Sequence, residues 1–224
     1  MKAAIGAAVS NVIAVIALGA VLFVPAGTFN YWQAWALAAT YALTTIVPTI
    51  YIARTNPAAL RRRMRSGPRA EARTLQKFVI IGWMASVFAM MAFSAYDHRV
   101  GWSYVPAWAC VLGDVLVAAG VTLTMLVVVQ NGYAAATVTV ETGQPVVSTG
   151  VYRFVRHPMY VGGAIIMIGT PLALGSYWGL LFVLPGVGAL VLRILDEETL
   201  LTQELAGYSE YTQRVRYRLM PYVW

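Results

Sequence analysis

Two short stretches of this chain hold the residue types that do chemistry. Ser148 to Tyr160 reads Ser-Thr-Gly-Val-Tyr-Arg-Phe-Val-Arg-His-Pro-Met-Tyr. It sets Tyr152, Arg153, Arg156, His157 and Tyr160 within nine residues, directly before an apolar run that begins at Val161. His157 is one of only two histidines, which makes it a candidate for acid–base work. Pro158 marks a helix start, because its missing N–H costs nothing in a first turn. The second stretch, Arg193-Ile-Leu-Asp-Glu-Glu198, places Arg193 and Glu197 four apart on one helix face, with Glu198 beside it. In water such a pair contributes little. At a membrane boundary a charge needs its partner. A cation, carboxylates, an imidazole and aromatic faces gathered beside apolar segments suit a pocket in which one polar and one lipophilic ligand meet.

The elements that must position these groups are apolar. The chain of 224 residues is 59% hydrophobic and 11% charged, with a mean hydropathy of +0.67. Soluble domains carry roughly 25% charged residues, so an integral membrane protein is expected. Six apolar segments follow one another: Ala3–Val24, Trp32–Ile52, Phe78–Tyr96, Val105–Val129, Met159–Leu174 and Tyr177–Leu195. The first four reach the roughly 20 residues that a spanning helix needs. The last two are shorter and are separated by Gly175-Ser176, so they form a helical hairpin that crosses twice or dips in. The expected fold class is an all-α integral membrane protein with five to six transmembrane helices and a C-terminal helical hairpin. Ala3–Val24 is longer than the apolar core of a secretory signal and reads as a retained first helix. The C-terminal Met-Pro-Tyr-Val-Trp offers no cysteine for prenylation, so no lipid anchor of the chain itself is expected.

Charge placement sets the expected sidedness. If six helices cross, 15 of the 16 basic residues fall on one side and Arg99 alone on the other. The positive-inside rule then puts both termini and the 148–160 cluster in the cytoplasm. The net charge of +7 is explained the same way, and no nucleic-acid partner is expected. The basic loop from Arg54 to Lys77 reads as topogenic or as a contact to anionic headgroups. Tyr31, Trp32 and Trp35, and Trp102, Tyr104 and Trp108, read as interfacial belts. Asp114, inside the fourth segment, reads as a structural carboxylate that is protonated or hydrogen-bonded to a neighbouring helix. From Asn131 to Thr149 the chain is too polar for the bilayer core, so it lies at the cytoplasmic face or walls a cavity.

Several classes are excluded by what the chain lacks. Cys110 is the only cysteine, so no intramolecular disulfide forms, and one cysteine with two histidines does not make a zinc site. No metal is expected. No strand-borne Gly-x-Gly-x-x-Gly and no Gly-x-x-x-x-Gly-Lys loop is present. Gly186-Val-Gly188 reads as close helix packing.

Gly150-Val-Tyr-Arg-Phe-Val-Arg-His-Pro-Met-Tyr160, followed by Glu197-Glu198, Gly207-Tyr-Ser-Glu-Tyr211 and Arg216-Tyr-Arg-Leu-Met-Pro221, resembles the isoprenylcysteine carboxyl methyltransferases and the related membrane phospholipid methyltransferases. The likeness covers roughly Asn131 to Trp224. It implies S-adenosylmethionine as cofactor, held in a cytoplasmic pocket by Gln144, Pro145, Val146, Val147, Tyr152, Arg156, His157, Pro158, Met159, Tyr160 and Glu197. In this reading His157 is a pocket wall, Arg193 faces the acceptor, and Glu198 is a second acidic site residue of open role. Residues 1–130 then form a four-helix transmembrane part, and residues 131–224 the cofactor-binding and catalytic part, of one membrane domain. The implied reaction is O-methylation of the carboxylate of a lipophilic, isoprenylcysteine-like substrate reached from the bilayer, with membrane lipids as surroundings. An anionic acceptor needs alignment and no base. A phospholipid amine acceptor would need one, with His157 or a glutamate in that role. A weaker similarity to sterol reductases keeps an NADPH-dependent reductase open, with Arg214, Arg216 and Arg218 near a nucleotide phosphate. A non-enzymatic scaffold would tolerate loss of His157, Tyr160 and Glu197.

Overall fold

The computed structural model describes residues 16–64, 67–71, 73–134 and 137–224, and every regular element among them is a helix. Helix α1 (Ile16–Ala26) is the described part of the first apolar segment, whose beginning at Ala3 lies outside the described residues. Helices α2 (Trp32–Thr55), α4 (Thr74–Val100) and α5 (Ala107–Gln130) run for 24, 27 and 24 residues. At about 1.5 Å per residue each exceeds a hydrocarbon core of about 30 Å. The short helix α3 (Pro57–Met64) sits between α2 and α4. A 3-10 turn (Trp178–Phe182) runs into α7 (Val183–Glu204), and the combined stretch is, among the described residues, the fourth that is long and apolar enough to cross a membrane. Helix α6 (Pro158–Ala173) has 16 residues and is shorter than a full span. The expected hairpin is therefore present as α6, a turn at Gly175 and α7. Its second arm runs on past Leu195 through Glu204, the amphipathic extension that the pattern before Gly207 leads one to expect. Helix α8 (Tyr208–Arg214) follows after a left-handed turn at Gly207, where φ is +83°.

Local sequence explains the boundaries that matter for the site. Pro158 occupies the first turn of α6, and His157 is its N-cap residue. Before it, a 3-10 turn (Gly150–Arg153) begins on Gly150 at φ +60°, where a Cβ would lie 2.3 Å from Gln130 Oε1. The segment 137–149 forms no regular element. It walls a cavity, one of the two placements expected of a stretch too polar for lipid.

The two ends of the bundle differ in chemistry. At one end Tyr31 is buried, stacks on His98 at 3.9 Å between centroids, and donates its hydroxyl to Leu174 O at 2.6 Å. Its place in an aromatic belt is thus corrected to a core role. Trp32, Trp35, Trp102, Tyr104 and Trp108 are exposed, as a belt requires. Asp97 at this end accepts from Ser103 N, Ser103 Oγ and Ser176 Oγ. Arg99 lies beside Gly27. The other end holds Arg62, Arg63, Arg73, Arg156, Arg193 and Arg218 with the carboxylates described below. Asp114 accepts from Thr40 Oγ1 of α2 at 3.3 Å, the helix-to-helix bond expected for it.

Helices α5 and α6 pack backbone to backbone through Gly113 and Gly120 against Gly162 and Gly169. Small residues let helices approach closely where hydrophobic association is weak. A Cβ on Gly162 would meet Thr124 Oγ1 at 2.6 Å and Gly120 O at 2.7 Å. Gly162→Val is expected to destabilise the protein by about 1–3 kcal/mol, read as a lower Tm in detergent. Gly188→Ala, whose Cβ meets nothing within 4 Å, is expected to change nothing. Equal Tm values for the two variants would contradict this packing. Of the two glycines in Gly186-Val-Gly188, only Gly186 is tightly packed, against Met167.

Candidate functional site

Two cavities meet at the N-terminus of α6. The first is lined by Gln144, Pro145, Val146, Val147, Tyr152, Arg156, His157, Pro158, Met159, Tyr160 and Glu197, so the structure brings together the whole set of cofactor residues expected from the sequence. It also recruits Asn131, Tyr133, Thr137, Val138, Thr139, Leu201, Leu205, Tyr208 and Tyr211, which the sequence reading did not assign to the cofactor site. Tyr208 and Tyr211 had a legible signal, since an i, i+3 aromatic pair lies on one face of α8. They form a small core with Leu205 and Val215, against which Val140 and Val146 pack, so α8 closes the cavity floor.

The walls are held by bonds between distant segments. Asn131 Nδ2 donates to Tyr152 Oη at 3.1 Å, and Tyr211 Oη donates to Tyr152 O at 2.7 Å. Burial pushes the Tyr152 hydroxyl up to about 12, the Asn131 bond opposing it and Glu197 adding to it. Burial likewise raises Tyr208 and Tyr211. These hydroxyls therefore stay neutral at physiological pH. Tyr208 Oη is buried without a hydrogen-bond partner although Tyr208 lines the cavity. A buried unpaired hydroxyl is costly.

The second cavity, of about 510 Å³, is apolar and lies among α2, α4, α6 and α7. Val79, Trp83, Met84, Met90, Ile166 and Met167 line its length. Arg63, Arg193, Met159 and Tyr160 line it too, and the last two also line the first cavity. Tyr160 is the junction. Its hydroxyl donates to Glu197 Oε2 at 2.5 Å and accepts from Arg193 Nε at 3.0 Å. The helix-face pairing of Arg193 with Glu197 is thus made through a tyrosine of the neighbouring helix.

Arg193 is deeply anchored. Its Nη1 lies 2.9 Å from Glu71 Oε1 and donates to Gln76 Oε1 at 2.9 Å. Glu71 also accepts from Val138 N at 3.1 Å, which ties the loop wall of the first cavity to the arginine of the second. Gln76 and Arg73 both donate to Asp196. The Arg193–Glu71 pair is almost wholly buried, so removing either partner would leave an uncompensated charge. Arg62 pairs with Glu141 at 2.6 Å while partly exposed, and so contributes far less. The basic loop is thus more than a topogenic tract. Glu71, the only acid between Arg54 and Lys77, was its legible signal. The second cavity also draws lining residues from outside 131–224, on α2, α3, α4 and α5.

Glu198 lines neither cavity. Its Oε1 lies 3.0 Å from Arg156 Nε and 3.1 Å from His157 Nε2, and its Oε2 accepts from Arg218 Nε at 2.8 Å. Arg156 Nε is close to the carboxylate yet not aligned for a hydrogen bond. Glu198 therefore holds the backs of two wall residues. The C-terminal segment completes the wall, with Arg156 N bonded to Tyr217 O and His157 N to Arg218 O.

Residues 108–207 match the family model described as phospholipid methyltransferase. A Delta(14)-sterol reductase of Mus musculus is 33% identical over 91 residues, which are 39% of this chain and 22% of the reductase. The chain thus spans well under half of that relative's length. A solved structure of a eukaryotic intramembrane Ras methyltransferase, an isoprenylcysteine carboxyl methyltransferase, aligns over 96% of this chain and 86% of its own, with 17% identity and a TM-score of 0.48.

Proposed function

We propose that this chain, whose residues 108–207 fit the phospholipid methyltransferase family, is a membrane methyltransferase. In this reading it uses S-adenosylmethionine to O-methylate the carboxylate of a lipophilic, isoprenylcysteine-like acceptor. The observation that carries the reading is the meeting, at Met159 and Tyr160, of a polar cavity walled by tyrosines with an apolar cavity bearing two guanidinium groups. The first suits a cationic, polar cofactor and the second an anionic amphiphile. Positive-inside bias supports a cytoplasmic opening for the site.

The residues present fit the cofactor on two counts. Tyr208 lines the cavity and carries a buried hydroxyl without a hydrogen-bond partner, and Glu197 lines the same space with one carboxylate oxygen on Tyr160. Bound there, S-adenosylmethionine would supply an electrophilic methyl group on a sulfonium cation. The faces of Tyr152 and Tyr160 stabilise positive charge, and Glu197 offers a second oxygen for a polar part of the cofactor. Gln144, Pro145, Val146 and Val147 form a backbone wall, and His157 and Pro158 close the side nearest α6. Arg193 fixes the Tyr160 hydroxyl and walls the acceptor cavity. No general base is required, because a carboxylate acceptor is already ionised; positioning and exclusion of water do the work.

Calorimetry of the purified protein with S-adenosylhomocysteine and with NADPH tests the cofactor, and a tritiated-methyl assay on prenylcysteine analogues, fatty acids and phospholipids tests the acceptor. NADPH binding without S-adenosylhomocysteine binding would replace this reading with the reductase one, which the sterol reductase likeness supports. A phospholipid amine acceptor is the second reading, supported by the family description. The two acceptors differ in pH dependence. With an ionised acceptor and neutral tyrosines, kcat/KM is expected to stay flat between about pH 7 and 9. An amine acceptor would give about a tenfold rise per unit below its own pKa.

A further inference from the structure

Arg193 and Arg63 both line the apolar cavity, but only one of them brings a charge that is not already matched. Arg193 is held by Glu71 at 2.9 Å, by Gln76 and by Tyr160. Arg63, on α3, donates Nη1 to Met159 Sδ at 3.3 Å. All nine acidic side chains of the protein lie among the described residues, and none of them forms an ion pair with Arg63. A thioether is a weak acceptor and does not neutralise a guanidinium. Burial lowers the Arg63 pKa, and the neighbouring Arg193 adds to that, against an opposing effect of Tyr160. Its neighbour Arg62 turns the other way, to Glu141 and over the Tyr133 ring.

The position is as informative as the charge. Met159 lines both cavities, so Arg63 stands where they join, at the end of the apolar cavity nearest the proposed cofactor site. An amphiphile lying in that cavity with its tail along Trp83, Met90 and Met167 would bring its head to this end. Apolar walls beside an unmatched, partly buried cation select for an anion, because withdrawing a charge from water without a partner is costly. An ammonium would meet two guanidinium groups instead.

We propose that Arg63 is the specificity-determining residue that docks the anionic group of the lipophilic acceptor, while Arg193 positions Tyr160. This deepens the methyltransferase reading and rests on it for the identity of the cavity. The anion is a carboxylate if the acceptor is a prenylcysteine and a phosphate if it is a phospholipid; in both cases it lies beside the donor site.

The test uses the full chain in nanodiscs, with N-acetyl-S-farnesylcysteine, its uncharged carboxamide and dioleoylphosphatidylethanolamine as probes. The wild type is expected to bind the acid about 10- to 100-fold more tightly than the amide, the range of one charge-assisted bond. Arg63→Gln is expected to remove that difference while leaving amide binding and S-adenosylhomocysteine binding unchanged, and Arg63→Lys to restore part of it. If phosphatidylethanolamine is the species methylated, Arg63→Gln raises its KM by a similar factor, which supports the docking role and replaces the carboxylate with a phosphate. An acid-to-amide ratio and a phospholipid KM both unchanged in Arg63→Gln would overturn the proposal, as would a wild type that binds acid and amide alike. Failure of the wild type to bind S-adenosylhomocysteine overturns the methyltransferase reading instead, and so separates the two.

Discussion

Tyr160→Phe is expected to lower kcat by about 10- to 100-fold while leaving the helical content near that of the wild type. The ring of Tyr160 separates the two cavities, and phenylalanine keeps that ring. Only the hydroxyl is lost, and with it the bond given to Glu197 Oε2 and the bond received from Arg193 Nε. Hydrogen bonds to charged groups contribute about 1.5–3 kcal/mol each, and about 1.4 kcal/mol is a factor of ten in rate. Arg193 keeps Glu71 and Gln76, so the fold has other anchors at this point. What changes is the alignment of the carboxylate on the donor side with the guanidinium on the acceptor side. The loss should therefore appear in kcat more than in the cofactor KM. Wild-type kcat in Tyr160→Phe would remove the hydroxyl from the mechanism and leave the residue as a wall. Glu197→Gln separates the roles further, because it keeps a partner for the hydroxyl but removes the negative charge, and so should weaken cofactor binding more than turnover.

The site was legible in the sequence to the extent that it is local. Residues 144 to 160 run through one loop, one 3-10 turn and the first turn of α6, and their types alone marked a pocket mouth. Pro158 fixed the helix start because its ring allows little else. Arg193 and Glu197 were legible because a helix puts residues four apart on one face. The partners that cross the bundle were not. Gln76 meets Arg193 across 117 positions of sequence, and no periodicity reports such a contact. Arg63 and Arg73 were concealed by composition, since an arginine that lines a cavity and one that sets topology read alike in a run of basic residues. Tyr31 shows the same limit for aromatics. At a helix mouth it fits a membrane belt, and only the direction of its side chain, inward onto His98 and Leu174, makes it core. Helix α7 was legible beyond its apolar part, because the amphipathic run from Asp196 to Leu205 before Gly207 reads as a helical extension, and Asp196, Glu198 and Thr199 face partners or backbone within the bundle.

Removal of the Glu198 carboxylate is expected to cost more than loss of any uncharged pocket-lining side chain. Three basic side chains converge on it, those of Arg156, His157 and Arg218. The Glu198 and Arg156 side chains are nearly buried, at 11% and 9% exposure, whereas Arg218 is 30% exposed and so counts for less. Breaking a buried pair by deleting one partner costs about 3–5 kcal/mol, because the remaining charge is stranded. In Glu198→Ala that strain falls on the segment that pairs Arg156 N with Tyr217 O and His157 N with Arg218 O. The expected results are a marked fall in Tm, faster tryptic cleavage at Arg216 and Arg218, and loss of S-adenosylhomocysteine binding. Glu198→Asp should recover part of all three, since it keeps the charge and shortens the reach. Glu198→Gln keeps the shape without the charge, and should resemble alanine if electrostatics dominate. A glutamine variant with wild-type Tm and wild-type cleavage would show that packing of the C-terminal segment, and not its charge anchor, holds the back of the cofactor wall.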